Sequence, residues 1–285
     1  MSTLATVPVH VARAGLAHDA RAAVMVWRRE LIRFWGDRTR MIAMLVQPIL
    51  FIFVLGNGLA GLTSMAIPGF NFKTFIFPGV LATSTLFTAM FAAVSVVWDR
   101  EFGFLREMMV APVSRTSIIV GKAIGGSTVA TLQGALVIAL APFVGVPLSV
   151  RLVVVLLIEV FIISFSITSF GLVIAARVTQ MQAVMGIMQM IMLPLTFLSG
   201  ALYPLVGLPT WLSILVHLNP LTYGVHAVRV TVFASLHIPP ELLNSVNAPL
   251  TIGSWAVPVV ACLVLVAGIG VVLLAIAATE FSNSE

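Results

Sequence analysis

The sequence predicts an all-α membrane protein with six transmembrane helices, an amphipathic helix before them, and short extra helices in two of the connections. Composition is the first observation behind this class: of 285 residues, 60% are apolar and only 9% are Asp, Glu, Lys or Arg. Soluble domains contain about 25% charged residues, and one core could not hide such an excess of apolar surface. The composition therefore argues against a soluble enzyme, a disordered protein and a nucleic-acid binder.

The uneven distribution of charge is the second observation. The chain has 15 basic and 10 acidic residues, and 17 of these charged residues lie within positions 1–115. Cytoplasmic segments of membrane proteins are enriched in Lys and Arg, so we expect both termini to lie in the cytoplasm. With that orientation, 12 basic residues fall on the inner side and 3 on the outer side. The net charge of +5 thus indicates topology, and nucleic acid is not needed to explain it.

Residues 1–40 are predicted to form a cytoplasmic N-terminus that contains an amphipathic helix. Asp19 is the expected N-cap of this helix and Gly36 its expected stop. We expect the helix to lie in the cytoplasmic interface of the membrane; the alternative is a basic flank that only orients the first span. The apolar residues that share one helical face are Val24, Trp27, Leu31 and Phe34.

Six stretches of about 20 apolar residues predict a transmembrane domain over residues 41–278, followed by a cytoplasmic tail, 279–285. The connection between the fifth and sixth spans, residues 205–255, is too apolar for a solvated linker. It predicts short re-entrant helices in the outer leaflet and then a surface loop around Pro239–Pro249. The predicted spans are 41–60, 75–97, 117–143, 151–175, 183–204 and 256–278.

The inner connection between the second and third spans alternates charged and apolar residues. Phe102, Leu105 and Met109 share one face of a helix predicted over 99–111, and Pro112 ends it. Such a helix is suited to dock a cytosolic partner, because apolar residues fill a groove and a charged rim fixes the register. The alternative is a solvated amphipathic turn on the membrane surface. The charged residues on its other faces are Asp99, Arg100, Arg106 and Glu107.

The sequence lacks the motifs of nucleotide and covalent chemistry. Gly121-Lys122 has neither the upstream glycine nor the following Ser or Thr of a phosphate-binding loop. The five histidines are scattered, and a metal pair of His217 and His226 is the less favoured alternative to isolated loop histidines. A single cysteine, Cys262, excludes a disulfide within the chain. We therefore expect no enzymatic activity, no metal site and no cofactor in this chain.

Candidate substrate-pathway residues lie in the second and fifth spans. Methionine is polarizable and adaptable, so a methionine stripe flanked by polar residues could line a pathway for varied amphiphiles. The alternative is ordinary packing between helices or against lipid. The residues in question are Thr85, Thr88, Met185, Met188, Gln189, Met192 and Thr196.

Glu159 is an acidic residue deep within a predicted span. An intramembrane carboxyl group is costly and is therefore a functional candidate. It could be protonated, couple to protons or bind cationic cargo. As a proton relay it would make the chain a proton-driven secondary transporter. Its alternative role is structural, through a hydrogen bond to Ser127, Thr128 or Gln133 on the neighbouring span.

Three segments resemble ABC-2 type export permeases, in the same order and spacing. Residues 99–103 with 112–115 and 121–122 resemble the first cytoplasmic loop of that family, and residues 198–204 resemble the end of its fifth span. Residues 218–229 resemble its signature before the last span. The likeness covers nearly the whole chain and is closest to the daunorubicin-resistance and nodulation-factor export group. The signature residues are Asn219, Pro220, Tyr223 and Arg229.

The resemblance implies that two copies of the permease, or this permease and a close relative, pair in the bacterial cytoplasmic membrane. Two separate ATPase subunits would bind from the cytoplasm and hold ATP and Mg²⁺. Their closure would drive export of a hydrophobic drug, lipid or glycolipid by alternating access. The interfacial helix and the loop helix, which is then a coupling helix, would contact the ATPase. The residues implied in coupling are Asp99, Glu101, Phe102, Leu105, Arg106 and Glu107, with Arg28 and Arg29.

Overall fold

The computed structural model describes residues 15–59, 72–103, 114–205, 207–236, 250–252 and 255–283, and these are almost entirely helical. A small antiparallel hairpin pairs β1, Thr251–Ile252, with β2, Trp255–Ala256. The predicted all-α class is therefore confirmed apart from this hairpin. The helices are α1 Leu16–Gly36, α2 Arg38–Ile49, α3 Phe72–Ala93, α4 Ser95–Glu101, α5 Arg115–Ile138, α6 Val150–Arg177, α7 Met181–Leu198, α8 Thr210–Leu218, α9 Pro220–Ala234 and α10 Val259–Asn283.

Within the described residues, five helical segments are long and apolar enough to cross a membrane. They coincide with five of the predicted spans. The other predicted span, 117–143, corresponds to α5, which has 24 residues but is less apolar because it carries Lys122, Gln133 and several glycines. Both polar side chains are buried between helices. The six-span layout stays a prediction. The five segments are Arg38–Gly58, Phe72–Glu101, Val150–Arg177, Met181–Leu198 and Val259–Ser282.

The long helices run alternately in opposite directions between two ends of a bundle. At one end, Arg177 at the end of α6 forms an ion pair with Glu280 of α10 at 2.6 Å, and Arg115 at the start of α5 donates to the Ser282 carbonyl at 3.0 Å. At the other end, Thr74 of α3 donates to the carbonyl of Val144, just after α5, at 2.6 Å. We call the first the charged end and the second the opposite end.

Small residues allow α3, α5 and α6 to pack closely at the centre of the bundle. A Cβ atom at Gly126 of α5 would lie 2.8 Å from Thr168 Cγ2 of α6 and 2.9 Å from Ala92 Cβ of α3. A Cβ at Gly171 of α6 would lie 2.6 Å from Ala93 Cβ. Close helix approach through glycine is the usual means of packing in membranes, and these three helices form the buried core.

Helix α1 ends at the predicted Gly36, but its start and one residue of its apolar face differ from the prediction. Its position in the membrane interface stays a prediction. Gly15 occupies the N-cap position, and the Asp19 carboxylate instead accepts the N–H of Ser114 at 3.2 Å. Asp19 as N-cap is therefore wrong. Val24, predicted on the apolar face, is exposed, whereas Glu30 is buried. The rest of the predicted face is oriented inward, since Phe34 is buried and Trp27 and Leu31 are half-buried. Val24 and Glu30 depart from the prediction because contact with α5, rather than hydropathy alone, decides which side of α1 is buried.

Glycines of α5 select that face of α1. A Cβ at Gly121 would lie 2.6 Å from the Ala23 carbonyl oxygen, and one at Gly125 would lie 3.0 Å from Glu30 Cβ. Trp27 adds a hydrogen bond from its Nε1 to Thr128 Oγ1 at 3.1 Å. Helix α1 is thus docked along the first half of α5 by backbone proximity and polar contacts.

Helix α2 changes its geometry after Pro48. Proline has no N–H to donate to the preceding turn and disturbs a regular α-helix. The helix continues as a π-helical segment, Leu50–Leu55, and a final turn, Gly56–Gly58. Such π-helical insertions are frequent at functional sites. The predicted first span, 41–60, is therefore helical over its described part but is not a uniform α-helix.

Candidate functional site

Four charged side chains meet inside the charged end of the bundle and form what we call the charge cluster: Arg29, Glu30, Asp99 and Lys122. Lys122 Nζ donates to Glu30 Oε1 at 2.7 Å and to Ser95 Oγ at 3.0 Å. It also pairs with one carboxylate oxygen of Asp99, whose other oxygen pairs with Arg29. The cluster contains two cations and two anions, so its formal charges cancel.

The charge cluster joins three helices, because Arg29 and Glu30 belong to α1, Asp99 to α4 and Lys122 to α5. Asp99 has no exposed surface and Lys122 is only 3% exposed. Buried charges are tolerated when they are paired, and removing one partner typically costs about 3–5 kcal/mol. The cluster therefore fixes the position of α4 relative to α1 and α5.

This arrangement differs from the surface rim predicted for the loop helix. Asp99 was placed on that rim, but it points into the bundle and Arg29 reaches it there, whereas Arg28 is exposed on α1. Lys122 was counted only as a basic residue near the end of a span. The sequence contains a signal for its role in the charge cluster. Lys122 is flanked by apolar residues, and a charge in such surroundings requires a buried partner.

The helix predicted over 99–111 is interrupted near its start. Helix α4 ends at Glu101, and Gly103 adopts a left-handed backbone conformation with φ of 79°, which is a common way to end a helix. A continuous helix across this point is therefore wrong. Leu105, Arg106 and Glu107 lie outside the described residues, and their coupling roles stay predictions.

Glu101 and Phe102 lie exposed at the end of α4. Glu101 Oε1 accepts the backbone N–H of Met181, the first residue of α7, at 2.9 Å. A carboxylate at a helix N-terminus satisfies an unpaired N–H and interacts favourably with the helix dipole. The Phe102 ring packs against Trp98, with ring centroids 5.5 Å apart. The end of α4 thus contacts α7 as well as the charge cluster.

A cavity of about 510 Å³ opens between the α1–α2 corner and α3–α4, and we call it the groove. Its charged part lies where α1 turns into α2 and contains Glu30, Arg33, Asp37 and Arg40. Two of the predicted pathway residues, Thr88 and Met185, line it. The remaining lining is mainly apolar and includes Ala43, Met44, Gln47, Phe87, Phe91 and Trp98.

The other predicted pathway residues do not share this surface. Thr85 is buried in α3 and donates to the Leu81 carbonyl at 2.7 Å. Met188 and Met192 are buried, whereas Gln189 is exposed. Thr196 donates to the Met192 carbonyl at 2.9 Å. The methionine stripe is thus divided between a buried and an exposed side of α7.

Glu159 is buried in α6, and its Oε1 accepts a hydrogen bond from Thr231 Oγ1 of α9 at 2.5 Å. The alternative prediction, a structural hydrogen bond between Glu159 and Ser127, Thr128 or Gln133, named the wrong partners. Ser127 donates instead to the Ala123 carbonyl at 2.6 Å, and within the described part of the chain neither Gln133 nor Glu159 Oε2 has a hydrogen-bond partner. Thr231 was missed because it lies outside the predicted spans.

The signature residues cap the ends of neighbouring helices at the opposite end of the bundle. Asn219 is the N-cap of α9: its Oδ1 accepts the Leu221 N–H at 3.0 Å, and its Nδ2 donates to the Leu195 carbonyl of α7 at 2.8 Å. Pro220 is the first residue of α9, a favoured position for proline. Tyr223 donates its hydroxyl to the His217 carbonyl of α8 at 2.9 Å.

Arg229 completes this capping arrangement. It is 3% exposed, its Nη2 donates to the Gly200 carbonyl at 2.5 Å, and its guanidinium lies 4.6 Å from the centre of the Phe75 ring. Gly200 has a φ of 70°, so α7 ends at Leu198 rather than continuing to 204 as predicted. Carbonyl groups at helix ends need such partners where water is scarce, and the signature supplies them.

Comparison with known proteins agrees with this architecture. The chain matches the family described as ABC-2 type transporter over residues 21–233. It is 30% identical over 193 residues to the "Putative transport permease ycf38" of Cyanophora paradoxa, covering 66% of each chain. It is 27% identical over 205 residues to the "Inner membrane transport permease YadH" of Escherichia coli (strain K12), covering 72% of this chain and 80% of that protein.

A third relative is the "Probable multidrug ABC transporter permease YbhR" of Escherichia coli (strain K12). It is 32% identical over 164 residues, which cover 55% of this chain and 43% of that protein. The aligned part of this chain thus spans less than half of that permease. With the family match extending over most of the chain and with several apolar helices that can cross a membrane, this multi-pass membrane protein belongs to the ABC-2 type transporter family of ABC transport permeases.

Proposed function

We propose that this chain is the membrane subunit of an ATP-driven exporter in the bacterial cytoplasmic membrane. It moves a hydrophobic or amphipathic substrate out of the cytoplasm or the inner leaflet, and separate ATPase subunits hydrolyse the ATP. Two permease copies and two ATPase copies form the working transporter. Helix α5 is the additional span: at 1.5 Å per residue its 24 residues extend about 36 Å, enough to cross the apolar layer.

The charged end faces the cytoplasm in this proposal. Helices α1 and α2 bring a group of arginines to that end, while Lys73 and Arg151 lie at the starts of α3 and α6, at the opposite end. Positive charge is retained on the cytoplasmic side of membrane proteins. The arginines of this group are Arg21, Arg28, Arg29, Arg33, Arg38 and Arg40.

The position of α4 is the observation that carries the proposal. Its last residues are exposed, yet they are attached to α1 and α5 through the charge cluster and to α7 through the Glu101–Met181 hydrogen bond. An ATPase that binds the exposed turn therefore acts on several helices at once. This is the mechanical link that a permease without its own nucleotide site requires.

Copurification and transport test the proposal. The chain is coexpressed with an ABC ATPase subunit, purified, and reconstituted into liposomes with labelled amphiphilic drugs and lipids. We expect a complex with equal numbers of both subunits and transport that requires ATP and stops when the ATPase is inactivated. Transport by the isolated chain that ignores ATP but follows a pH gradient would overturn the proposal.

The second candidate function is a proton-coupled secondary transporter. The buried Glu159, with one carboxylate oxygen unpartnered among the described residues, is the observation that favours it. In that case Glu159→Gln abolishes transport driven by a proton gradient. For the exporter we expect this variant to keep ATP-dependent transport, because glutamine can still accept the hydrogen bond from Thr231.

A further inference from the structure

The groove between the α1–α2 corner and α3–α4 has charged residues at one end and mainly apolar residues along the rest. We infer that it binds an amphiphile with an anionic head group, a phosphate or a carboxylate, and a long apolar chain. The head group is held by Arg33 and Arg40, and the chain lies between α2 and α3. This assignment deepens the proposed function by naming a substrate class. Only the transport of the bound amphiphile rests on the proposed function; its binding does not.

The charges around the mouth of the groove leave the two arginines available. Glu30 is already paired with Lys122 inside the bundle. Asp37 is the N-cap of α2 and accepts the backbone N–H of Arg40 at 3.0 Å. Among the described residues, neither Arg33 nor Arg40 has a carboxylate within ion-pair distance. The guanidinium of Arg33 lies 5.8 Å from the centre of the Trp98 ring.

Arginine is the side chain best suited to such a head group. Its planar guanidinium presents donors that match the oxygen atoms of a phosphate or carboxylate. Arg33 and Arg40 approach the same cavity from α1 and α2, on either side of the Gly36–Asp37 corner. An anionic group placed between them therefore gains two charge-assisted contacts, whereas a zwitterionic head group brings a cation into the same site.

The remainder of the groove fits an extended apolar chain. On α2, Gln47 lies seven residues, about 10 Å, beyond Arg40, and on the other wall the lining extends from Trp98 to Ser84, about 20 Å of helix. The volume of about 510 Å³ lies within the range of ligand pockets. The groove's uncharged polar residues are Gln47, Ser84, Thr88 and Ser95. The three hydroxyls are already hydrogen-bonded: Ser84 donates to the Leu81 carbonyl at 2.9 Å, Thr88 donates to the Ser84 carbonyl at 3.0 Å, and Ser95 accepts from Lys122 Nζ at 3.0 Å.

Binding of two single-chain lipids tests the assignment. Oleoyl lysophosphatidic acid and oleoyl lysophosphatidylcholine share a chain and differ in head-group charge, and native mass spectrometry of the purified protein gives the affinity for each. We expect tighter binding of the anionic lipid, and a loss of about tenfold in that affinity in R33Q/R40Q. The matched control is R21Q/R38Q, which removes the same two charges from exposed residues outside the groove lining.

A second pair of variants tests the apolar part without altering charge. Ala43→Trp fills the groove and is expected to weaken binding of both lipids, while Ile42→Trp, on the exposed side of α2, leaves it unchanged. Equal affinity for the two lipids in the unmodified protein would overturn the assignment. So would an R21Q/R38Q effect as large as that of R33Q/R40Q. Misfolded variants are recognised by their thermal unfolding and replaced by R33K/R40K, which should bind with intermediate affinity.

A transport measurement distinguishes the two sources of such an amphiphile. The protein is reconstituted with its ATPase, and movement of labelled lysophosphatidic acid across the membrane is followed with and without ATP. ATP-driven movement that R33Q/R40Q reduces identifies the bound amphiphile as cargo. Binding without movement identifies it as a resident anionic lipid of the leaflet, and the site stands. If the ATPase does not copurify with this chain, the proposed function is wrong, but the binding result is unaffected.

Discussion

Lys122 and Glu30 lie 2.7 Å apart, from Nζ to Oε1, although 92 positions separate them in the chain. Both side chains are buried, and Asp99 and Arg29 complete the cluster around them. This ion pair joins an N-terminal helix to a helix in the core of the bundle. It also carries the connection through which a cytoplasmic ATPase is proposed to act.

Replacement of Lys122 by methionine is expected to destabilise the protein by about 3–5 kcal/mol, because Glu30 would remain buried without a cation and Asp99 would keep only Arg29. Thermal unfolding of the purified protein, followed by tryptophan fluorescence, measures the loss. Arg21→Met is the matched control, since it removes a positive charge from an exposed residue of α1. Adding Glu30→Gln to the Lys122 variant should restore part of the stability, because it removes the carboxylate left without a cation and keeps the Arg29–Asp99 pair. If the double variant is less stable than Lys122→Met alone, the charge cluster does not act as described.

Replacement of Glu101 by alanine is expected to separate ATP hydrolysis from transport. The variant loses the hydrogen bond to Met181 N–H, so we expect ATP-dependent transport to fall about tenfold while ATP hydrolysis by the complex continues. Glu101→Gln retains an acceptor oxygen and should keep most of the transport. Both rates are measured on the same reconstituted sample. Unchanged transport in the alanine variant would remove Glu101 from coupling.

Replacement of Gly79 by alanine is expected to disrupt the opposite end of the bundle. A Cβ atom at this position would lie 1.8 Å from the Ala201 carbonyl oxygen, and a backbone atom cannot turn aside as a flexible side chain could. We expect a loss of about 3 kcal/mol or more in stability, measured by thermal unfolding. Gly186→Ala in α7 is the control, because nothing lies within 4 Å of its added Cβ. Equal stability of the two variants would contradict this packing.

Replacement of Asn219 is expected to reveal two separate capping contacts. Asn219→Ala loses both the N-cap of α9 and the bond to the Leu195 carbonyl, for which we expect about 1–2 kcal/mol or more. Asn219→Asp keeps the N-cap acceptor but cannot donate to Leu195, so its stability should lie between those of the other two proteins. Stability of the aspartate variant equal to that of the unmodified protein would show that the link to α7 contributes nothing.

Hydropathy alone located the long helices to within a few residues, because about 20 apolar residues in succession have few other uses. Hydropathy was less successful for a helix that is buried among other helices. Lys122 and Gln133 lower the hydropathy of α5 while lying buried between helices. Composition cannot distinguish a helix surrounded by protein from one that is simply less apolar.

Long-range contacts were the part of the site that sequence patterns did not provide. The partner of Glu159 is Thr231 on a helix 72 positions away, and the inward position of Asp99 depends on Lys122 and Arg29 from two other helices. Helical periodicity describes which residues share a face, but it does not state what that face contacts. The end of α4 was likewise misjudged because the left-handed Gly103 was treated as an ordinary helical residue.

The charge cluster also constrains the order in which the protein is assembled during synthesis. Arg29 and Glu30 leave the ribosome long before Lys122, which follows about ninety residues later. Until then Asp99 and Lys122 are missing, and α1 has no helix α5 on which to dock. The N-terminal helix must therefore wait outside the bundle while the first apolar helices insert. Its docking can begin only once α5 has been made, while α6 to α10 still lie ahead in the sequence.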